Sequence, residues 1–247
     1  MRNLPRFYIA DSDFLEGKFY LKDHNSLRHA RKVLRLGKGD DIELFDGNGK
    51  AYLCKVELLT KELLIADLIK EQKEKKSNKP NIILAQALPK AGKIDDIVRM
   101  NTEIGVSEFV LFESDHSVVK TEHYHENKIS RLKKIIQEAA RQSNNNLLPQ
   151  ILGPIDFNQL MSFPADKKLI LHTQSTSYTE KIVDNITKVK TTLGIESNVL
   201  VCIGPEGGFS KAEISKAIEN GFMLITLELP VLRTETAGLV VCSFLLI

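Results

Sequence analysis

The sequence contains no tryptophan, and its three cysteines, Cys54, Cys202 and Cys242, are widely spaced. Without a C-x-x-C pair, a disulfide framework and a zinc cluster are both excluded, and free cysteines fit a reducing compartment. We therefore expect a cytoplasmic protein. The N-terminal residues include no apolar segment, so we expect no signal peptide. The longest apolar run, residues 239–247, is about half of a bilayer span and predicts a buried helix with no membrane partner.

Charge and nucleotide-binding motifs are also scarce. The net charge is only +2, so a nucleic-acid partner requires a local basic patch rather than a global field. The chain lacks both G-x-G-x-x-G and G-x-x-x-x-G-K-[ST], which disfavours dinucleotide and P-loop sites. The six histidines are scattered, and the H-Y-H-E stretch at residues 123–126 has no partners at ligand spacing. We expect no bound metal.

Two regions of different composition predict two domains. Residues 1–72 are β-rich and contain a hairpin turn at Asp46–Gly49, and the polar segment 70–80 predicts a linker. Residues 73–247 alternate short apolar runs with predicted helices, which indicates an α/β domain with a mostly parallel sheet. The helices are predicted at residues 93–105, 127–144, 178–190 and 211–220. The five apolar runs are N-I-I-L-A-Q-A-L, E-F-V-L-F-E-S, K-K-L-I-L-H-T, N-V-L-V-C-I-G and M-L-I-T-L-E-L.

Two motifs follow the last two predicted strands. I-G-P-E-G-G-F-S, residues 203–210, contains three glycines that let a ligand approach the backbone, and Glu206 disfavours phosphate. Ser210 and Glu213 form a capping box, and Phe209 and Ile214 occupy the positions of a hydrophobic staple. Alone, this motif fits a tight turn equally well. The second motif, V-L-R-T-E-T-A at residues 231–237, also leads into a helix, with Thr234 or Thr236 as its cap.

Together these motifs resemble the family of small-subunit ribosomal RNA uracil-N3-methyltransferases, which belongs to the knotted (SPOUT) RNA methyltransferase class. The segments 5–9, 29–49, 93–119 and 135–143 resemble that family in the same order. The resemblance implies a small N-terminal PUA-like β-barrel domain and a C-terminal parallel-sheet α/β trefoil-knot domain. It also implies S-adenosyl-L-methionine as the methyl donor, a homodimer, and small-subunit ribosomal RNA or the assembled subunit as partner.

The resemblance further implies which residues form the site. The three knot loops would hold the donor, largely through their backbone, with Leu171, His172, Thr173, Ile203, Gly204, Pro205, Glu206, Gly208, Leu227, Leu229, Val231, Leu232 and Thr236 as the binding residues. Arg233 would stabilise charge on the uracil or bind an RNA phosphate, and Glu235 is a candidate general base. A purely structural ion pair between Arg233 and Glu206 or Glu235 is the alternative.

A basic segment in the first domain predicts RNA binding. Arg28, Arg31, Lys32 and Arg35 would share one helical face, opposite Leu27 and Leu34. Lys38 and Arg6 would extend this face, which suits phosphate contacts. His116 stands where the family has an arginine and is included as an RNA-binding position. The segment 143–148 also lacks the family's arginines, and Glu228 replaces its usual glycine.

Two other functions remain open from the sequence. The first is a ribose 2′-O-methyltransferase of the same class, because the glycine turns do not distinguish the two reactions. The second is an RNA-binding factor in ribosome assembly without catalysis.

Overall fold

A computed structural model describes residues 4–72, 78–90, 92–172, 183–227 and 229–247 of the chain. The chain divides into two compact units. The first contains Met1–Lys76 and Ala140–Leu148, and the second contains Ser77–Ala139 and Pro149–Ile247. The domain limits 1–72 and 73–247 stay predictions. Within the described ranges, no helix combines the length and apolar character needed to cross a bilayer.

The first unit contains a six-stranded sheet. Its elements are β1 (Arg6–Tyr8), β2 (Phe14–Leu15), β3 (Lys18–Leu21), α1 (His24–Arg28), β4 (Asp41–Phe45), β5 (Ala51–Leu59) and β6 (Leu64–Gln72), with a 3-10 helix at Asp11–Asp13. The strand order is β1-β4-β5-β6-β3-β2. The predicted turn joins β4 to β5, where the Asp46 carboxylate accepts hydrogen bonds from the N–H groups of Asn48 and Lys50. The hairpin prediction is therefore confirmed, whereas residues 70–72, expected in a linker, extend β6.

The predicted basic face is interrupted by an irregular helix. After α1 the chain continues as a π-helix at His29–Val33, in which the N–H of Leu34 bonds the carbonyl of His29. Arg35 then adopts a left-handed φ of 54°, outside any helix. A π-helix turns through a smaller angle per residue than an α-helix, so the 3.6-residue spacing does not hold. The expected single face with Leu34 opposite is wrong, since Leu34 is exposed.

Arg6 is buried, which contradicts its predicted role on an exposed RNA-binding face. Only 4% of it is accessible. Its guanidinium bonds Glu43 at 2.6 Å, lies over the Phe45 ring, and donates to the carbonyls of Ala140 and Asn145. Arg6 therefore holds the 140–148 segment against the sheet of the first unit. Burial is the main cause that lowers the pKa of its guanidinium, and Glu43 opposes that effect.

The second unit is a seven-stranded parallel sheet with helices. Its elements are β7 (Asn81–Ala87), α2 (Lys93–Ile104), β8 (Glu108–Glu113), a 3-10 helix (Thr121–His123), α3 (Glu126–Gln142), β9 (Gln150–Asp156), α4 (Phe157–Met161), β10 (Lys167–Leu171), β11 (Val183–Asn185), α5 (Ile186–Thr191), β12 (Asn198–Ile203), α6 (Lys211–Glu219), β13 (Met223–Thr226) and α7 (Thr234–Leu246). The central strands are nearly continuous buried runs, as expected for a sheet covered on both faces. The α/β prediction is confirmed.

Two strands of this sheet differ from the prediction. β9 was not expected, because its sequence Q-I-L-G-P-I-D has few apolar residues and contains proline. The helix predicted at residues 178–190 is a strand, β11, followed by the shorter α5. Residues 178–182 lie outside the described ranges. The α6 prediction is confirmed in detail: both hydrogen bonds of the Ser210–Glu213 capping box form, and Gly221 ends the helix with φ 81°.

The strand order brings three carboxyl ends together. The order is β11-β13-β10-β12-β7-β8-β9, so β10 lies between β12 and β13. The glycine-bearing turn after β12 and the threonine-bearing turn after β13 therefore flank the end of β10. In open parallel sheets such carboxyl ends are where ligands bind. The trefoil knot stays a prediction.

Candidate functional site

The carboxyl ends of β10, β12 and β13 form a cleft of ≈ 380 Å³. It is lined by Lys93, Leu171, His172, Ile203, Gly204, Pro205, Glu206, Gly207, Gly208, Phe209, Val231, Leu232, Arg233, Thr234 and Ala237. An adjoining hollow shares several of these residues and adds Leu227, Leu229 and Pro230. Most residues predicted to hold the donor are therefore brought together by the fold.

Two residues predicted to bind the donor, Thr173 and Thr236, are not placed at the cleft. Thr173 and Glu228 lie outside the described residues. Thr236 is not among the lining residues, and its N–H donates to the carbonyl of Arg233 in the first turn of α7. The prediction that Thr236 binds the donor is therefore not supported by its position.

The glycine turn, residues 204–208, fits closely against its surroundings. A Cβ added to Gly204 would lie 3.1 Å from the Phe209 ring, and one added to Gly207 would lie 3.1 Å from Cβ of His116. Gly208 has φ 67°, a conformation that L side chains rarely adopt. Phe209 stacks on Phe112 in the core, which anchors the turn at its end. Gly204 and Gly207 therefore leave little room for a side chain, and the backbone conformation favours glycine at position 208.

Thr234 joins the two turns from the buried side. Its hydroxyl donates to the carbonyl of Gly204 at 2.7 Å and accepts from the Gln86 amide at 2.9 Å. Gln86 is fully buried at the end of β7. Thr234 was predicted to be a helix cap, but the N-cap of α7 is Arg233, which makes no capping bond. Sequence inspection missed Gln86, because a polar residue in an apolar strand has no local signature.

Lys93 joins the same two turns by ion pairs. Its Nζ lies 3.0 Å from Oε1 of Glu206 and 3.2 Å from Oε2 of Glu235. The hydrogen bond to Glu206 raises the pKa of Lys93. Burial would raise the pKa of Glu206, but bonds from Lys93 and from the N–H of Lys90 outweigh it, so that pKa is lowered. Lys93 was not predicted as a site residue.

Arg233 is left free by this arrangement. Both glutamates proposed as its structural partners pair with Lys93 instead, and within the described residues its guanidinium forms no ion pair. Its side chain is exposed and lines the cleft. An unpaired guanidinium at a ligand cleft can bond a phosphate or a developing anion.

The two predicted histidines occupy different positions. His172 lines the cleft, and burial lowers the pKa of its imidazole, which favours the neutral form. His116, predicted to bind RNA, is exposed, but its Nδ1 lies 3.1 Å from the carbonyl of Gly207 and 3.2 Å from that of Gly208. An N–H at Nδ1 donates to these carbonyls and so helps to hold the glycine turn in place.

A larger hollow of ≈ 450 Å³ lies at the ends of β8 and β9. Its acidic residues already accept internal hydrogen bonds: Glu113 from Thr121 and Glu213 from the N–H groups of Ser210 and Asp115. The bonds from Thr121 and Lys120 lower the pKa of Glu113 to about 2. Because these groups are satisfied, we place the functional site at the smaller cleft. No group of three or more metal-ligating side chains occurs in the described part of the chain.

Comparison with sequence families agrees with the division of the chain into two units. Residues 75–246 match the family described as RNA methyltransferase domain, and residues 21–69 match the RNA methyltransferase PUA domain. The predicted PUA-like N-terminal domain is therefore confirmed.

Individual relatives match over almost the whole chain. The ribosomal RNA small subunit methyltransferase E of Buchnera aphidicola is 31% identical over 99% of this chain and 93% of its own length. Its Bacillus subtilis counterpart is 29% identical over 88% and 85%.

Two solved structures share the fold. Ribosomal RNA small subunit methyltransferase E from Neisseria gonorrhoeae, bound to S-adenosyl methionine, superposes with a TM-score of 0.81 at 27% identity, covering 98% of this chain and 96% of that chain. A Legionella pneumophila structure in complex with the bound cofactor SAM has a TM-score of 0.83 at 26% identity, covering 98% and 97%. The chain belongs to the RNA methyltransferase family that includes the ribosomal RNA small subunit methyltransferase E proteins.

Proposed function

We propose that this protein transfers a methyl group from S-adenosyl-L-methionine to N3 of a specific uridine in small-subunit ribosomal RNA. The observation that carries the proposal is the cleft at the ends of β10, β12 and β13, where a glycine turn faces Arg233, whose guanidinium forms no ion pair with any described residue. The relatives named for small-subunit rRNA methylation, and the two solved structures with the donor bound, support this choice of reaction.

The residues of the cleft fit a cationic donor. Lys93 and Arg233 balance the charges of Glu206 and Glu235, so no net positive charge repels a cationic ligand. The Glu206 carboxylate, which lines the cleft, favours a sulfonium beside it and disfavours phosphate. We assign donor binding to the predicted residues that line the cleft and its adjoining hollow: Leu171, His172, Ile203, Gly204, Pro205, Glu206, Gly208, Leu227, Leu229, Val231 and Leu232.

The chemistry needs little from the protein beyond alignment and charge stabilisation. The donor supplies an activated methyl group on sulfur, and its transfer breaks the S–C bond, forms the C–N3 bond and leaves a neutral thioether. Arg233 stabilises the negative charge that develops on a uracil oxygen as the N3 proton passes to solvent water. Glu235 is held by Lys93, so we assign it a positioning role rather than that of general base.

We assign RNA binding to the first domain. Four of its predicted contacts, Arg28, Lys32, Arg35 and Lys38, are exposed, and Arg31 is partly exposed. These cations suit phosphate contacts, although they do not share one helical face. The substrate is either the free RNA or the assembled subunit.

Methyl transfer to unmodified small subunits tests this proposal. The protein would be incubated with methyl-labelled donor and either small subunits or deproteinised RNA, and the nucleosides would be separated by mass. We expect label on the base of one uridine, transferred about 100-fold or more slowly by Arg233→Ala. Label on a ribose would instead establish a 2′-O-methyltransferase, and the absence of transfer to both substrates would favour an RNA-binding assembly factor.

A further inference from the structure

Lys93 occupies a position that local helix chemistry does not explain. It is the first residue of α2, where the helix dipole disfavours a cation. The N-cap, Gly92, has φ 91° and supplies no side-chain capping bond, while Asp95 and Asp96 provide the acidic groups expected in the first turn. The partners of the Lys93 ammonium must therefore be sought outside its own helix.

The partners lie on two different turns of the cleft. Glu206 belongs to the glycine turn after β12, and Glu235 belongs to the first turn of α7. Glu206 is also fixed by the N–H of Lys90 at 3.2 Å. One ammonium thus ties the glycine turn to the helix that begins beside Arg233.

The two contacts of Lys93 are not equivalent. Oε2 of Glu235 lies 3.2 Å from Nζ, but this buried atom has no partner with hydrogen-bond geometry among the described residues. Both glutamates raise the pKa of Lys93, and the hydrogen bond to Glu206 is the larger cause. Removal of the ammonium would leave two neighbouring carboxylates that oppose each other's ionisation.

We propose that Lys93 is a positioning residue of the methyl-transfer site. It acts through Glu206 and Glu235 to fix the position of the glycine turn relative to Arg233. The proposal rests on the function proposed above. Lys93 lines the cleft but needs no contact with the reacting atoms, because both glutamates transmit its position. The charged and titratable groups around this Lys93–Glu206–Glu235 bridge come from α2, from the ends of β10 and β12, and from the start of α7: Lys93, His172, Glu206, Arg233 and Glu235.

The test compares Lys93→Met and Lys93→Arg with Arg99→Met. Arg99 lies on the same helix and pairs with Asp96 on the exposed side, so its variant is a matched loss of charge. We expect Lys93→Met to lower kcat for RNA methylation at least about tenfold. Lys93→Arg should retain most activity, Arg99→Met should be unchanged within about twofold, and all three should unfold close to the wild-type temperature.

Carbon-13 NMR of the glutamate carboxyls supplies a readout that requires no catalysis. We expect Glu206 to titrate at higher pH in Lys93→Met than in the wild type, because Glu235 then opposes its ionisation. In the double variant Lys93→Met/Glu235→Gln, the titration of Glu206 should return towards the wild-type pH. The acid limb of the kcat profile should move with it.

Several outcomes distinguish this proposal from its alternatives. An unchanged Glu206 titration in Lys93→Met, or an equal loss of kcat in Arg99→Met, would overturn it. A shifted titration with unchanged kcat would also overturn it, because the bridge would then have no effect on the site. A wild-type protein that methylates no RNA but shows the titration shift would contradict the proposed function and still support the bridge.

Discussion

The hydroxyl of Thr234 has one proton, which it donates in a hydrogen bond to the carbonyl oxygen of Gly204. Its oxygen in turn accepts from Gln86, so the direction of the hydrogen bonds is fixed from β7 to the glycine turn. Thr234→Val keeps the shape but leaves a buried donor and a carbonyl unsatisfied, at a cost of about 1–3 kcal/mol. We expect donor affinity, measured by calorimetry, to fall about tenfold in this variant.

Thr234→Ser is the matched control, because it keeps the hydroxyl and loses only a methyl group. We expect it to bind the donor within about threefold of the wild type. If Thr234→Val bound as tightly as Thr234→Ser, the link between β7 and the glycine turn would have no role in donor binding.

Arg233 should affect turnover without affecting stability. Its guanidinium is exposed and forms no ion pair in the described residues, so Arg233→Ala should change the unfolding free energy by less than about 0.5 kcal/mol. Loss of a charge-stabilising donor typically lowers kcat about 100-fold or more. Methylation kinetics and urea unfolding measure the two effects. Turnover within about tenfold of the wild type would exclude a catalytic role for Arg233.

The sequence correctly predicted that residues of the two motifs lie together, because each motif is a continuous stretch of the chain; their roles stay predictions. The glycines and Arg233 stand in contiguous turns, and the structure places them together at one cleft. Arg6 and Lys93 were misassigned or missed because their partners are distant in sequence: Glu43 and residues 140–146 for Arg6, Glu206 and Glu235 for Lys93. The sequence alone does not show whether a cation faces solvent or a carboxylate.

At the scale of elements, α6 depends on a carboxylate shared between its own start and a neighbouring loop. Glu213 is buried and accepts from the N–H groups of Ser210 and Asp115 and from the hydroxyl of Ser114. Glu213→Ala leaves these donors unpaired, so we expect it to lower the unfolding free energy by about 2–4 kcal/mol. Ser210→Ala removes the cap and an exposed hydrogen bond from the Ser210 hydroxyl to Asp115, and it should cost about 1 kcal/mol.

Urea unfolding of both variants checks this order of effects. An equal loss in the two variants would show that the loop bonds of Glu213 add nothing to the capping box. The interpretation requires that each variant unfolds in one cooperative transition with an unchanged dependence on urea.

Helices with both a periodic pattern and caps were predicted almost to the residue, as α2 and α6 show. The failures have local causes. The π-helix at His29–Val33 has no sequence signature that separates it from an α-helix, and β9 carries a Gly-Pro step within the strand. β11 has only three residues, and its place at the sheet edge depends on pairing with β13.

At the scale of the whole molecule, alternation of apolar and helical segments was enough to predict a parallel α/β sheet. It was not enough to predict the strand order, because the insertion of β10 between β12 and β13 depends on pairing between distant segments. That insertion also adds Leu171 and His172 to the cleft. The family resemblance, not the periodicity, pointed to this loop.

The rim of the cleft carries exposed apolar side chains, which favours the expected homodimer. Val231 is 80% exposed and Leu229 is 53% exposed, although both border the hollow that adjoins the cleft. Apolar side chains at a ligand site are usually covered, and a second copy of the chain would cover them. We therefore expect light scattering to give a mass of twice 27.8 kDa at micromolar concentration.

Val231→Asp tests this expectation, because it places a charge on the rim while leaving the Val231 backbone in place. We expect the variant to be a monomer and to bind the donor more weakly, since a dimer would complete the cleft. Ile195→Asp is the matched control. Ile195 is 67% exposed, but it precedes β12 and so lies at the amino ends of the strands, away from the cleft. A wild-type monomer, or a dimer that Ile195→Asp disrupts and Val231→Asp does not, would place the interface away from the cleft.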